Sequence, residues 1–383
     1  MSGKTGDFRM AEYRNRNRIL YPLGVTQEEN GVHILVQGRA GEVRLLLYRP
    51  GEKKPCEEIS FDPKYRMGDV WELALDRTDF ASFEYNFMID GKIVADPNAR
   101  VITGREKWAD RKRAGKPVRS RMLSEEFDWE DDVKPETPYA ETILYKLHVR
   151  GFTVHASSGV SARGTYAGVV EKIPYLKELG ITAVELMPVT EFDEIMMSSS
   201  GSSFHNAKQE PTGYLNYWGY GPSYLYAVKT AYASRETMSA EGEFKTLVKE
   251  LHKAGIECIP EMYFTGKELP GEILSVLRYW VEEYHVDGFH LTGFPDLSLA
   301  AEDPFLKRTK LFAENWNDVM NRRPKQGYVT PGDGAVSVEE KNLAEYNMQF
   351  MEDMRRFLKG DEGMLSAFEL RNRRNPMEYA VIN

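Results

Sequence analysis

From Ile143 onward short apolar runs alternate with amphipathic segments, and this alternation constrains the fold more than any other feature of the chain. The strand-like runs are "ILYKLHV", "TAVELMPV", "IECIPEMY", "VDGFHL" and "TKLFAE"; between them stand helical segments such as "AGVVEKIPYLKELG" and "EFKTLVKELHKAG". Strand and helix in alternation predict parallel βα units, because a parallel neighbour is reached only through a crossover long enough to hold a helix. Such units build a doubly wound sheet or a barrel. Several of the strands end in polar or charged residues, as in "VELMP" and "FAENW", and in a barrel the carboxyl ends of the strands carry the site.

A different pattern precedes these units. From Gly31 to about Pro97 the runs "GVHILVQGRA", "VRLLLYRP", "DVWELAL" and "FEYNFMIDGKIVADP" alternate apolar and polar residues between turn signals, which predicts a small all-β sandwich. Asp90-Gly91 suits a hairpin turn, whose two central positions both need positive φ. Trp71 is expected in the core of this unit. Between the two patterns lie a basic block, "REKWADRKRAGKPVR", and an acidic one, "SEEFDWEDD", which read as a solvated connector. A chain of 383 residues exceeds the roughly 250–300 at which a single core stops growing, so two domains are expected. One long loop, "IMMSSSGSSFHNAKQEPTG", is low in complexity and is expected to be mobile.

Composition narrows the function classes. Hydrophobic residues make up 42% and charged ones 28%, the balance of an ordinary globular protein. No run reaches the length of a membrane span, and the polar, basic start "MSGKTGDFRMAEYRNRNR" is not a secretory signal, so a cytoplasmic protein is expected. Cys56 and Cys258 are too few and too scattered for a disulfide framework or a zinc site, and both read as buried thiols. The net charge of −9 argues against nucleic acid or an anionic membrane as partner, since both are held by basic surface. A neutral ligand fits better.

The segment "YKLHVRGFTVHASSGVSARGTYAGVVEKIPYLKELGITAVELMPVTEFDE", followed by "LNYWGYGPSYLYAVKTAYAS", resembles the opening of the catalytic barrel in the α-amylase superfamily, glycoside hydrolase family 13. Within that family it is most similar to the glycogen-debranching, isoamylase and pullulanase group. The β-rich segment from "YPLGVT" to "IDGKIVADPNAR" resembles the starch- and glycogen-associated sandwich of those enzymes, and "TKLFAENWN" and "YNMQFMEDMRRFLKGDEGM" resemble the same group. The resemblance implies an immunoglobulin-like sandwich over residues 1–103, a charged linker over 104–140 and a family (β/α) barrel over 141–383. It also implies an α-glucan ligand such as glycogen, starch or pullulan, and no cofactor. The chain stops at "YAVIN", where relatives run on, so an incomplete barrel is expected, either a piece of a longer product or a fold completed by a partner.

Enzymes of this family retain anomeric configuration, which needs two carboxyl groups roughly 5–5.5 Å apart, one to attack and one to protonate the leaving oxygen. Where the family places Asp and Asn-His at the third strand, this chain has "EMYFTG": Glu261 stands for the Asp, Thr265 and Gly266 for the pair. Where the fourth strand reads G-F-R-F-D, this chain reads "GFHLT", so His290 replaces the Arg and Thr292 the nucleophile. A threonine hydroxyl without a base is a poor nucleophile. "AENW" keeps the family pattern, with Glu314 at the general acid/base position. The expectation is a family-type glucan cleft whose hydrolysis is lost or strongly impaired, Glu261 being the one substitute carboxylate. The alternatives are a non-catalytic glucan-binding or regulatory protein, and a fragment.

The aromatic residues Tyr217, Trp218, Tyr220 and Trp316 carry over better than the acids. Aromatic faces stack on the apolar faces of glucose rings, and the resemblance puts Tyr220 under the sugar; equally, such rings can pack at a barrel mouth. His148 either points into the cleft or is a satisfied structural histidine, and His290 either bonds a sugar hydroxyl or fills the space of the missing Arg. No second and third ligands stand at metal-binding spacing around either, so no metal is expected.

Overall fold

The computed structural model of the chain describes residues 22–123, 126–197, 211–234, 238–293, 299–300, 303–314 and 342–360. The described residues divide into two compact units: 22–123, 126, 193–197, 211–215 and 224–231 form the first, and 127–192, 216–223 and those from 232 onward the second.

The first unit is an antiparallel β-sandwich. One sheet joins β1 (Gly24–Glu28), β2 (Gly31–Gln37) and β5 (Val70–Leu75). The other runs in the order β4 (Glu57–Ser60), β3 (Val43–Tyr48), β6 (Glu84–Ile89), β9 (Arg119–Arg121) and β8 (Val101–Thr103), with β7 (Lys92–Val94) on β6. Alternation in β5 buries Trp71, Leu73 and Leu75 against Val43, Leu45 and Leu47 of β3 and Tyr85 and Phe87 of β6. Trp71 is a core residue whose indole N–H donates to the Gly38 carbonyl at 3.2 Å. Asp90 and Gly91, between β6 and β7, take φ of 44° and 77°, the left-handed pair that a tight hairpin needs. Cys56 departs from expectation: it is exposed, because it precedes β4, an edge strand whose residues alternate outward, and only Cys258 is buried.

The stretch read as a connector is built into both units. Its Arg119–Arg121 pairs with Val101–Thr103 and with Glu84–Tyr85 and buries Ser120. Further on, Trp129 stacks on His285 at 3.8 Å between ring centres, and Asp132 bonds His252 and His285, each at 2.8 Å. The unit boundary falls between Glu126 and Phe127. Of the long loop, residues 198–210 lie outside the described residues.

The second unit is part of a (β/α) barrel. Its parallel sheet runs β10 (Leu144–Leu147), β11 (Ala183–Leu186), β12 (Glu257–Phe264), β13 (Gly288–Gly293), β14 (Lys310–Ala313) and β15 (Leu343–Glu345), each paired with the next. Helices α1 (Val149–Thr153), α2 (Tyr166–Val170) and α3 (Ile173–Glu178) lie between β10 and β11. Helix α4 (Ala240–Lys253) precedes β12, α5 (Pro270–Glu283) precedes β13, and α6 (Met348–Lys359) follows β15. Helix α4 starts where the Ser239 hydroxyl accepts the Gly242 N–H, carries Glu241 and Glu243 in its first turn and His252 and Lys253 in its last, and so agrees with the helix dipole at both ends. It buries Phe244, Leu247, Val248 and Leu251, with Phe244 edge-on to Trp280 at 5.5 Å. Among the described residues no helix is long and apolar enough to cross a membrane.

Candidate functional site

Inward residues of the sheet stack in layers, as alternation along each strand requires. Ala183, Ile259, Phe312 and Ala344 form a buried apolar plug, with Leu144 packed against it. Two residues further along the same strands come Glu185, Glu261, Glu314, Tyr346 and Lys146. One apolar layer is therefore followed by one polar layer, at the carboxyl ends of the strands. On β13 the corresponding inward residues are His290 and Thr292.

The polar layer is organised around an ammonium. Lys146 Nζ lies 2.9 Å from Glu185 Oε1 and 2.9 Å from Glu261 Oε2. Glu185 also accepts a 2.7 Å hydrogen bond from His290 Nδ1 and one from the Tyr346 hydroxyl. Glu261 accepts from the Tyr220 hydroxyl at 3.3 Å, and its other oxygen is 3.9 Å from His290 Nδ1. Glu185, Glu261 and His290 are all at least 97% buried. Burial pushes the Glu185 carboxyl up, but the His290 hydrogen bond and charge, then Lys146 and Tyr346, outweigh it and hold it below the usual carboxylate range. Burial likewise opposes the charge on Lys146, and the two carboxylates outweigh it, raising the ammonium above its ordinary value. The Tyr346 hydroxyl is raised by burial and by the charges of Glu185, Glu261 and Glu314, so Glu314 is within electrostatic reach of the layer.

Two atoms of the layer have no partner among the described residues, His290 Nε2 and Thr292 Oγ1, although the side chains are only 3% and 8% exposed. Each such atom costs about 1–3 kcal/mol when left unsatisfied. Thr292 stands beside Tyr263 in the strand register, and Gly293 follows at φ 83°, where a Cβ would meet the Phe264 carbonyl oxygen at 2.2 Å.

The structure brings Glu261, His290, Thr292, Glu314 and Tyr220 to one end of the sheet. Tyr220 is 38% and Trp218 53% exposed, with Trp218 edge-on to Tyr217 at 5.1 Å. His148 is held on both sides: Nδ1 accepts from the Gly151 N–H at 2.9 Å, Nε2 donates to the Tyr217 carbonyl at 2.9 Å, and the ring stacks on Tyr217 at 4.4 Å. Burial lowers its pKa and keeps it neutral. Trp316 lies outside the described residues. Lys146, Glu185 and Tyr346 went unnoticed in the sequence.

Glu185, Glu261 and His290 offer three ligand atoms within 4.8 Å of one another, a cluster that linear spacing does not reveal. Lys146 already bridges its two carboxylates. A divalent ion binding there would have to displace a cation that is part of the fold.

A family model described as the α-amylase catalytic domain matches residues 141–265. Isoamylase 3 of Oryza sativa subsp. japonica, a chloroplastic protein, is 30% identical over 92% of this chain and 54% of its own length. The glycogen operon protein GlgX homolog of Haemophilus influenzae is 32% identical over 93% of this chain and 62% of its own. Over residues 141–265 the chain is similar to the catalytic domain of the α-amylase superfamily. Its curated relatives in that superfamily are isoamylases and glycogen debranching enzymes, and it spans between 54% and 62% of the length of the two just named. Solved members share the fold. The catalytic module of the glycogen-degrading pneumococcal virulence factor SpuA, with an inhibitor, superposes with a TM-score of 0.62 at 20% identity, over 88% of this chain and 56% of that one. Apo pullulanase from Paenibacillus barengoltzii gives 0.59 at 19% identity, over 77% and 52%.

Proposed function

We propose that this chain binds α-glucan at the carboxyl ends of the parallel strands and does not run the double displacement of its superfamily. The observation that carries this is Thr292, at the position the motif assigns to the nucleophile, with a buried hydroxyl bonded to no base among the described residues. Without a base such a hydroxyl does not attack at a useful rate. Glu261 is no substitute, because its carboxylate is engaged by the Lys146 ammonium and the Tyr220 hydroxyl and is 1% exposed. We assign it to holding those two groups. Glu314, which is exposed, keeps the acid/base position. Trp218 and Tyr220 offer ring faces on which glucose units stack. The names of the relatives point to glycogen- or starch-type glucan as the ligand class.

Two measurements test this: retardation of the protein in native gels containing glycogen or pullulan, and mass spectrometry after incubation with an activated maltosyl fluoride. Retardation without a covalent maltosyl adduct is the expected result. An adduct would overturn the loss of double displacement, and unchanged migration would overturn glucan binding.

A further inference from the structure

His290 Nε2 and Thr292 Oγ1 are left unused by this reading. Both belong to side chains more than nine-tenths buried, both lack a partner among the described residues, and their positions two apart on β13 put them on one face. The hydrogen bond on the other side of the ring defines what they can hold. Glu185 Oε1, 2.7 Å from Nδ1, is a carboxylate oxygen and only accepts, so Nδ1 carries a proton, and in the neutral form of the ring Nε2 presents a lone pair. The hydroxyl of Thr292 both donates and accepts. Together they suit an O–H group.

The groups around the ring are titratable or charged. Facing the ring are Glu185 from β11, Glu261 from β12 at 3.9 Å, and Tyr346 after β15, whose ring centre is 4.8 Å away. Lys146 from β10 is shared between the two carboxylates. A histidine oriented by a carboxylate, with its second nitrogen open, is the arrangement used for general-base catalysis.

We propose that Glu185 and His290 form an oriented base that, with Thr292 Oγ1, holds a water molecule for single-displacement hydrolysis of an α-glucosidic bond, with inversion at the anomeric carbon. This rests on the glucan-binding reading above. The water oxygen forms a bond to the anomeric carbon while its proton passes to His290 Nε2. The bond from that carbon to the glycosidic oxygen breaks with its electron pair, and the protonated Glu314 gives its proton to the leaving oxygen. The imidazolium then loses a proton to solvent and Glu314 regains one. His290 and Glu314 are the catalytic residues, Thr292 orients the water, and Glu185 is a positioning residue. No glycosyl-enzyme forms, in keeping with a site that lacks a free second carboxylate.

The test is proton NMR of the first reducing ends released from pullulan and from maltohexaose by the purified chain, before mutarotation. The β anomer is expected first. His290→Asn keeps a donor where Nδ1 stands and removes Nε2; turnover should fall roughly 100-fold or more, with glycogen retardation unchanged. The acid limb of the wild-type pH–rate profile should disappear from the residual rate of this variant, which a merely structural histidine would not produce. If His290→Asn fails to fold, Thr292→Val decides, since it is isosteric: the fold should persist and turnover should fall, and unchanged turnover would overturn the proposal. The α anomer appearing first would overturn it too, by showing attack from a protein carboxylate. Retardation by glycogen with no new reducing ends would overturn this inference and leave the binding reading standing, whereas loss of retardation would remove both.

Discussion

Replacing Lys146 by methionine keeps the length of the side chain and removes the charge on which the polar layer depends. Glu185 and Glu261, 0% and 1% exposed, would then face each other from neighbouring strands with His290 as their remaining neighbour of basic character. Breaking a buried ion pair by removing one partner costs about 3–5 kcal/mol. The Lys146 side chain is 37% exposed, so solvent screens part of its interaction, and about 2–3 kcal/mol is the figure we expect. At about 2–4 °C per kcal/mol for a domain of this size, the midpoint of the second unit should fall by roughly 4–12 °C.

The pH dependence makes the test specific. In the wild type, Lys146 has a raised folded pKa, so its contribution is complete below the unfolded lysine value of about 10.4 and is lost only as pH rises through the higher folded value. Glu185 has a depressed folded pKa, so its contribution is present above the unfolded value of about 4.3 and is lost as pH falls through the lower folded one. Without the ammonium one of the charges that offset burial is gone, and the folded Glu185 carboxyl titrates higher. The penalty of Lys146→Met should therefore be largest near pH 7.5 and shrink by pH 4.5, where Glu185 begins to take up its proton. Urea denaturation at the two pH values measures it. A penalty below about 0.5 kcal/mol at pH 7.5, the range of an ordinary surface substitution, or one equal at both pH values, would refute the reasoning. Adding Glu261→Gln to Lys146→Met should recover a large part of the loss, since the two sites are in contact and their effects should not add.

Asp96 in the sandwich behaves in the opposite sense: burial raises it to about 6 against the hydrogen bonds from Asn98 and the Tyr85 hydroxyl. An acid with a raised folded pKa costs stability as pH rises from about 3.9 through that value; Asp96→Asn should flatten this slope, read from Trp71 fluorescence during unfolding. His252 is bonded to Asp132 at 2.8 Å and Asp287 at 2.9 Å, and these outweigh burial to raise its pKa. Its contribution is complete below about 6.5 and lost as pH rises through the folded value, so the thermal midpoint of His252→Gln should lack the decline of the wild type over that window. Thr292→Asp adds a fourth carboxylate to a layer that already buries two, and should lower stability by about 1–3 kcal/mol. It should still form no glycosyl-enzyme by mass spectrometry.

The alternation of strand and helix was legible because each element must bury one face, and Ala183, Ile259 and Phe312 sit on those buried faces. The mouth aromatics Trp218 and Tyr220 were legible because their motif is contiguous. The ammonium-centred layer was not. Lys146, Glu185, Glu261, His290 and Tyr346 lie on five strands or just beyond them, and no linear spacing joins residues brought together by the closing of a sheet. A weaker signal was present: each residue of the layer stands two places after an inward apolar or glycine residue, Leu144, Ala183, Ile259, Gly288 and Ala344. Alternation along a strand projects such pairs to the same side, so charged or polar residues two places past the plug mark the layer once its plug is known. In the connector the charge runs misled for a physical reason, because Arg119 and Asp132 spend their charge on partners within the units, Glu84 at 2.8 Å for the first and two histidines for the second.

The motif places an arginine where His290 stands, and an imidazole does not supply the permanent charge of a guanidinium. Lys146 supplies the charge from β10, on the far side of β11, at 2.9 Å from each acid. Once the cation comes from there, the ring at position 290 no longer has to be charged, and its Nδ1–H can be spent on Glu185 while Nε2 stays open. Stability and ligand chemistry are then divided within one layer: Lys146, Glu185 and Glu261 hold the fold, and His290 and Thr292 are left for the ligand. The division predicts opposite responses. Changes at Lys146 should move denaturation midpoints before they move glucan affinity, and changes at Thr292 to an isosteric apolar residue should leave the midpoint unchanged or higher, because a buried hydroxyl without a partner has been removed.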